Sequence, residues 1–201
     1  MNSKMIVSKK EMDHPKSSFP RKRESSMFDE LMDRRSKQMC QEPDGMAAPK
    51  ILFIEDDLPQ APEDNELWML LLGNGYAVAP ARTGAEAWQL LGKEKFDVVI
   101  ADIMLSAGKS NANANLEGIS RLDMGAYLIE NIRSATFEPT GTGRDVPIVV
   151  VSAVVGKERW ERIEKALGEQ DIILKKPLAP QDIFEAVRDV LSERASQEAL
   201  P

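Results

Sequence analysis

The sequence predicts an α/β protein built on a doubly wound parallel sheet and preceded by a basic, polar tail, and three observations carry that expectation. Short, continuous, β-branched runs recur from Lys50 onward: Ile51-Leu52-Phe53-Ile54, Val98-Val99-Ile100-Ala101 and Pro147-Ile148-Val149-Val150-Val151. Runs of this kind suit strands buried on both faces, as in parallel sheets. Amphipathic helical stretches lie between them. With two weaker strands, Tyr76 to Ala79 and Ile172 to Leu174, the alternation is β-α repeated five times. Such alternation places helices on both faces of the sheet, and ligands then bind beyond the carboxyl ends of the strands near the topological switch point.

The elements follow in order. Residues 1–45 hold Lys-Lys, Arg-Lys-Arg and Arg-Arg pairs and runs, Pro15, Pro20 and Pro43, and a Ser-rich stretch, a composition that reads as a disordered tail. Its one helical pattern, Ser26 to Met39, is weak. Met46 stands four residues before the first strong strand, so translation starting there is an alternative origin for the folded part, 46–201. The first helix is expected over Glu66 to Leu72, stopped by Gly73-Asn74-Gly75. Pro62 implies a lengthened entry into it. The second, Ala85 to Leu91, is introduced by Thr83 with Glu86 three residues on, a capping box. Gly125 to Arg133 follows, then Glu158 to Leu167 with Trp160, Ile163 and Leu167 on one stripe. The last helix is Gln181 to Leu191, with Ile183, Val187, Val190 and Leu191.

Composition removes several classes of function. The net charge is −7, but residues 1–49 hold ten Lys and Arg against eight Asp and Glu, which leaves 16 against 25 and a charge of −9 for residues 50–201. An acidic domain is poorly suited to the counterion release that drives nucleic-acid binding, so no direct DNA binding is expected. Cys40 and His14 are each the single residue of their type, which excludes a disulfide framework, a Cys/His zinc site, and Ser-His or Cys-His nucleophiles within one chain. Chemistry must come from Asp, Glu, Lys and Ser. No apolar run reaches the ~18 residues of a membrane span, and the first residues lack the apolar core of a secretory signal; a cytoplasmic protein without membrane contact is expected.

Polar residues gather just after the strands. Glu55-Asp56-Asp57 follows the first, Asp102 the third, Ser152 the fourth, and Lys176-Pro177 the fifth. Each has an ordinary reading as a helix cap or a surface residue. Together, at the carboxyl edge of one sheet, they form a constellation.

With these motifs in this order, Ile51-Leu52-Phe53-Ile54-Glu55-Asp56, Phe96-Asp97-Val98-Val99-Ile100-Ala101-Asp102-Ile103-Met104-Leu105, Ile148-Val149-Val150-Val151-Ser152-Ala153 and Leu174-Lys175-Lys176-Pro177, the sequence resembles the receiver domain of two-component response regulators over roughly residues 48–195. The resemblance implies a flavodoxin-like (βα)5 fold with strand order 2-1-3-4-5. It implies Asp102 as phosphoacceptor, taking a phosphoryl group from a histidine kinase phosphohistidine as an acyl phosphate. It implies Mg2+ held by Glu55, Asp56, Asp102 and the backbone carbonyl of Met104, a sparse oxygen set suited to that ion. Charge agrees with the need for metal: Glu55, Asp56 and Asp102 are offset by Lys176 alone until a dication arrives. Ser152 would donate to a phosphoryl oxygen, and Lys176 would pair first with Asp102 and then with the phosphoryl group. Asp57 is open between a loop or capping role and support of the metal site.

Departures from the family pattern are equally specific. Asp102 and Gly125 are 23 positions apart, where receivers have a short turn, so 106–123 reads as a loop insertion, either a lid or partner contact or a floppy segment. Ser106 replaces the usual proline after the acceptor, and Ile173 replaces the switch aromatic ahead of the lysine. Thr136 to Asp145 is a second extension. Met104 and Val154 are apolar where receivers often orient a hydrolytic water, which implies a slowly decaying phosphoryl state.

The sequence therefore points to a stand-alone receiver acting in a phosphorelay through contacts with a sensor histidine kinase or phosphotransfer protein and a downstream protein. It is not an enzyme beyond Mg2+-dependent self-phosphorylation and slow self-dephosphorylation, and is a monomer or weak dimer, with the Trp160 and Ile163 face and the fifth helix as contact surfaces. The alternative is a diverged pseudo-receiver that binds partners without phosphorylation. A phosphatase using an aspartyl phosphate is disfavoured, because Met104 stands where such enzymes commonly carry a second Asp.

Overall fold

Residues 47–109, 116, 118–153 and 156–198 are described by a computed structural model of the chain. The tail over 1–45, the alternative start at Met46, Val154, and residues 110–115 and 117 of the expected insertion lie outside the described residues.

Five parallel strands form one sheet in the order β2-β1-β3-β4-β5: β1 (Lys50–Ile54), β2 (Ala77–Ala81), β3 (Val98–Asp102), β4 (Ile148–Ser152) and β5 (Ile172–Lys175). The helices between and after them are α1 (Glu66–Gly73), α2 (Gly84–Lys93), α3 (Met124–Arg133), α4 (Lys157–Ala166) and α5 (Pro180–Glu198), with a 3-10 turn at Pro62–Asp64 ahead of α1. The three central strands are apolar at nearly every position because both faces are covered. Ile51, Phe53, Val98, Ile100, Val149 and Val151 pack under α1 and α5 against Leu67, Trp68, Leu71, Phe184, Val187 and Val190. Their alternates, Leu52, Ile54, Val99, Ala101, Ile148 and Val150, pack with Ala87 and Leu91 of α2, Met124, Leu128 and Ile132 of α3, and Ile163 of α4. A period of two along each strand thus feeds two cores.

Local chemistry sets the helix ends. The Asn65 side chain accepts from Trp68 N–H at 2.9 Å and caps α1, a signal adjacent to the lengthened entry that Pro62 implied. At the other end Gly75 has φ +86°, a left-handed conformation that glycine adopts without steric cost, and Tyr76 N–H returns to the Leu71 carbonyl. The Thr83 hydroxyl accepts from Glu86 N–H at 3.2 Å, as the capping box requires, but the reciprocal bond differs: the Glu86 carboxylate accepts from Arg82 N–H at 2.7 Å, not from Thr83. β2 runs on through Pro80 to Ala81, past the end expected at Ala79, because a proline is tolerated on an edge strand.

The expected insertion and the second extension are both tied down where they are described. Gly84 and Ala85, whose N–H groups lack partners within α2, donate to the carbonyls of Ser106 and Ala107 at 2.8 and 2.9 Å. Gly108, at φ +73°, lies so close to Thr83 that a Cβ there would come within 2.6 Å of it. The second stretch covers the end of α2: Thr142 donates from its N–H to Leu91 O and from its hydroxyl to Glu94 O, both at 2.8 Å. Phe137 meets Trp88 edge-on at 4.8 Å, and Trp88 stacks on Tyr127 at 5.9 Å. Ile163 is fully buried, which corrects the expectation that it shares an exposed contact face with Trp160.

Candidate functional site at the carboxyl edge of the sheet

The chain leaves β1 toward β2 on one side and returns to β3 on the other, so the ends of β1 and β3 flank the switch point of the sheet. Residues at those ends must leave the apolar core just as the strands stop. Glu55, directly after β1, is held by its N–H on Ala81 O at 3.0 Å. Asp102 is the last residue of β3, opposite Val151 of β4, and Ser152 ends β4 opposite Lys175 of β5.

Lys176 joins three of these strands. Its N–H donates to Ser152 O at 2.8 Å, which fixes the backbone of the β5 exit against the end of β4. Its ammonium then donates to Asp102 Oδ2 and to Glu55 Oε2, each at 2.7 Å. The other Asp102 oxygen accepts from Met104 N–H at 2.8 Å. The Asp102 side chain is 8% exposed and that of Glu55 18%, so one ammonium serves two carboxylates with little water to help. The electrostatic consequences follow. Burial pushes the Glu55 carboxyl above its ordinary value, the Asp102 charge adds to the push, and Lys176 opposes it. Burial works against the Lys176 ammonium, but the hydrogen bonds and charges of Asp102 and Glu55 outweigh it and raise the pKa above 10.5.

One oxygen from each of Glu55, Asp56 and Asp57 lies within 4.8 Å of the others. This is a set of hard carboxylate oxygens, the donor type Mg2+ takes, with Asp102 linked to it through Lys176. The residues therefore fit a divalent cation. Asp57, left open by the sequence, is exposed and stands in this group.

Two features modify the expected arrangement. The buried Ser152 hydroxyl donates to Ala153 O at 2.7 Å, so its hydrogen is directed at the backbone and not at Asp102. Asp56 is held by a residue no sequence pattern singled out: Arg121 Nη2 lies 2.5 Å from Asp56 Oδ2. Two residues on, Asp123 accepts from Arg159 Nε of α4 at 3.1 Å and lies 3.8 Å from Arg162 Nη1, while Arg162 makes a two-point bridge to Glu130 of α3 at 2.6 and 2.7 Å.

Five parallel strands in the order 2-1-3-4-5 with helices on both faces are the fold of response regulator receiver domains. The chain is similar to the CheY-like receiver domain protein of Methanospirillum hungatei JF-1, with a TM-score of 0.54 at 21% identity over 75% of this chain and 98% of that one. It is likewise similar to the signal receiver domain of a histidine kinase from Syntrophus aciditrophicus, with a TM-score of 0.53 at 20% identity over 77% and 98% of the two chains. In sequence it is 29% identical over 149 residues to response regulator MprA of Mycobacterium sp. (strain KMS), covering 74% of this chain and 53% of that protein. The chain thus spans about half the length of the curated relatives it matches. No family model matches. Among the described residues no helix is long and apolar enough to cross a membrane.

Proposed function

We propose that the chain is a phosphoacceptor receiver with Asp102 as nucleophile, a histidine kinase or phosphotransfer protein as donor, and a downstream protein as the reader of its phosphorylated state. The observation that carries this reading is the Lys176 ammonium bridging Asp102 and Glu55 at 2.7 Å each, at the switch point of the sheet. In the transfer an Asp102 oxygen attacks phosphorus, forming an O–P bond as the P–N bond of the donor phosphohistidine breaks. The bonding pair stays on the imidazole nitrogen, which takes up a proton from solvent.

This chain's residues each have a part in that step. Met104 N–H, on Oδ1, orients the carboxylate. Lys176 stays charged at neutral pH and follows the negative charge as it moves onto the phosphoryl oxygens. Ser152 needs a hydroxyl rotation away from Ala153 O to donate to the same group. Glu55, Asp56, Asp102 and the Met104 carbonyl would hold Mg2+, which would supply the positive charge that an anionic donor needs to approach three carboxylates. The apolar Met104 side chain, two residues after the acceptor, disfavours a hydrolytic water, and the acyl phosphate is slow to decay.

A second reading, a pseudo-receiver that docks partners without phosphorylation, is favoured by Arg121 on Asp56, where a cation already sits. Intact-mass spectrometry after incubation with a small phosphodonor, with and without Mg2+ and beside Asp102→Asn, separates the two. The phosphoacceptor gains one phosphoryl group in Mg2+, and the variant gains none. No gain from small donors or from histidine kinases refutes the first reading and leaves the second.

A further inference from the structure

Arg121 enters the acidic edge from a segment remote in sequence, 65 positions after Asp56. It is not a loose side chain folded over a surface charge. Its carbonyl accepts from Leu105 N–H at 3.0 Å, so its backbone lies beside the residues that leave β3, and Gly125 packs its Cα against the Asp102 carbonyl with its N–H on Ile103 O at 3.1 Å. From that fixed base the guanidinium reaches Asp56, whose side chain is 13% exposed, while the Arg121 side chain is 57% exposed. The acceptor is therefore partly desolvated and the donor can return to water at little cost.

Charge explains why Asp56 takes this partner. Lys176 is engaged by Asp102 and Glu55. Asp56 stands beside them with a carboxylate that Lys176 does not reach, in a cluster with Glu55 and Asp57. A guanidinium on Asp56 and a divalent cation on Asp56 satisfy the same excess of negative charge, and they compete for the same oxygens.

We propose that Arg121 is the resident counter-ion of the acidic edge, displaced when a divalent cation binds, and that its displacement unlatches the segment 118–123. The inference rests on the reading of Glu55, Asp56 and Asp102 as cation ligands. The segment ends at Asp123, which holds Arg159 and lies near Arg162 of α4, so the latch joins the cation site to that helix through adjacent residues of one strand of chain.

Mn2+ binding to the full chain, measured by electron paramagnetic resonance of the free ion, tests it in the wild type, Arg121→Gln, Arg121→Lys and Asp56→Asn. Removing the competing charge tightens Mn2+ binding about three- to tenfold in Arg121→Gln, at and somewhat above the range for an exposed ion pair because the acceptor is partly buried. Arg121→Lys, which keeps the charge, restores affinity to within about twofold of the wild type, and Asp56→Asn weakens binding relative to the wild type. Amide exchange over 118–123 accelerates when Mg2+ is added to the wild type and is already fast in Arg121→Gln without it. Equal Mn2+ affinity in wild type and Arg121→Gln, or exchange in this segment that ignores Mg2+, overturns the latch while leaving the cation site standing. Absence of Mn2+ binding in all four proteins overturns both the latch and the phosphoacceptor reading.

Discussion

Replacing Lys176 with Met removes the ammonium that Asp102 and Glu55 share, and the structure gives the sign and scale of the result. Opposite unit charges about 4 Å apart are worth ~4 kcal/mol at an effective dielectric near 20, and Lys176 makes two such contacts. Desolvation of the ammonium offsets part of this, and its side chain is 34% exposed, so the net loss falls below the 3–5 kcal/mol of a fully buried pair broken on one side, at about 2–3 kcal/mol. Asp102→Asn behaves differently. Its oxygen and that of Glu55 meet the same Nζ at 2.7 Å each, so the two carboxylates are separated by no more than twice that distance. The attraction lost to Lys176 is thus largely offset by relief of the repulsion from Glu55, and the change is within ~1 kcal/mol of zero in metal-free buffer. Urea unfolding followed by circular dichroism at neutral pH gives both values from shifts in midpoint at constant slope. An Asp102→Asn loss as large as that of Lys176→Met would refute the reasoning. The pH dependence has a definite sign. A pKa raised above 10.5 in the folded state gives stability fully present below 10.5 and lost as pH rises through the raised value, so the gap between wild type and Lys176→Met closes in that alkaline window.

Further expectations concern the supports of the edge and the acid range. Gly125→Ala puts a Cβ 2.5 Å from the Asp102 carbonyl and from Ile103 Cα, backbone that cannot yield, and costs about 3 kcal/mol in thermal or urea unfolding, whereas Gly156→Ala, with nothing within 4 Å, stays within ~0.5 kcal/mol. Asp171→Ala strands Arg133, which donates to both Asp171 oxygens at 2.6 Å, and releases Ile148 N–H at the start of β4; a loss of about 3–5 kcal/mol is expected by the same assay. The Glu55 carboxyl, raised by burial, holds its proton more tightly folded than unfolded. Its contribution is therefore favourable below the ordinary 4.5 and lost as pH rises through the raised value, and Glu55→Gln flattens that slope in pH-dependent unfolding. Asp123 is held below its ordinary 3.8 chiefly by the Ser120 hydroxyl, with Arg159 and Arg162 adding to it, so its support of α4 is present above 3.8 and fades as pH falls through the lowered value. Faster amide exchange in α4 of Asp123→Asn at neutral pH checks the contact.

The sheet was legible because burial on both faces leaves a plain signature. Ile51 to Ile54, Val98 to Ala101 and Ile148 to Val151 are apolar at every position, and each face has its own helices to satisfy. Helix existence was legible from a different signal, the amphipathic spacing of apolar residues between the strands. What one sequence could not resolve were choices made by neighbours. Pro80 argues against a strand unless one knows that β2 lies on the edge. Thr83 and Glu86 have capping-box spacing, but Arg82 N–H takes the carboxylate. Ile163 and Trp160 share a helical stripe, yet Ile163 enters the core while Trp160 is only half-buried and faces Lys175, whose ammonium lies 5.0 Å from the indole.

At the site the division is sharper. Glu55, Asp56, Asp102, Ser152 and Lys176 could be placed from the sequence because a parallel sheet brings its strand ends to one edge whatever the intervening chain does. Arg121 could not, since it meets Asp56 from 65 positions further along the chain, and an arginine there has no period or spacing to mark it. The path it lies on bears on how such a domain signals. β5 carries Ile173 where the family resemblance implies an aromatic, so on the proposed reading a change at Asp102 would reach α4 by another route. The chain from Arg121 to Asp123 is such a route: one end rests on a carboxylate of the acidic edge, the other holds Arg159, and Arg162 ties α4 to Glu130 of α3. Each contact is a partly exposed ion pair, weak alone, and weak contacts in series are what a few charges arriving at the edge can rearrange.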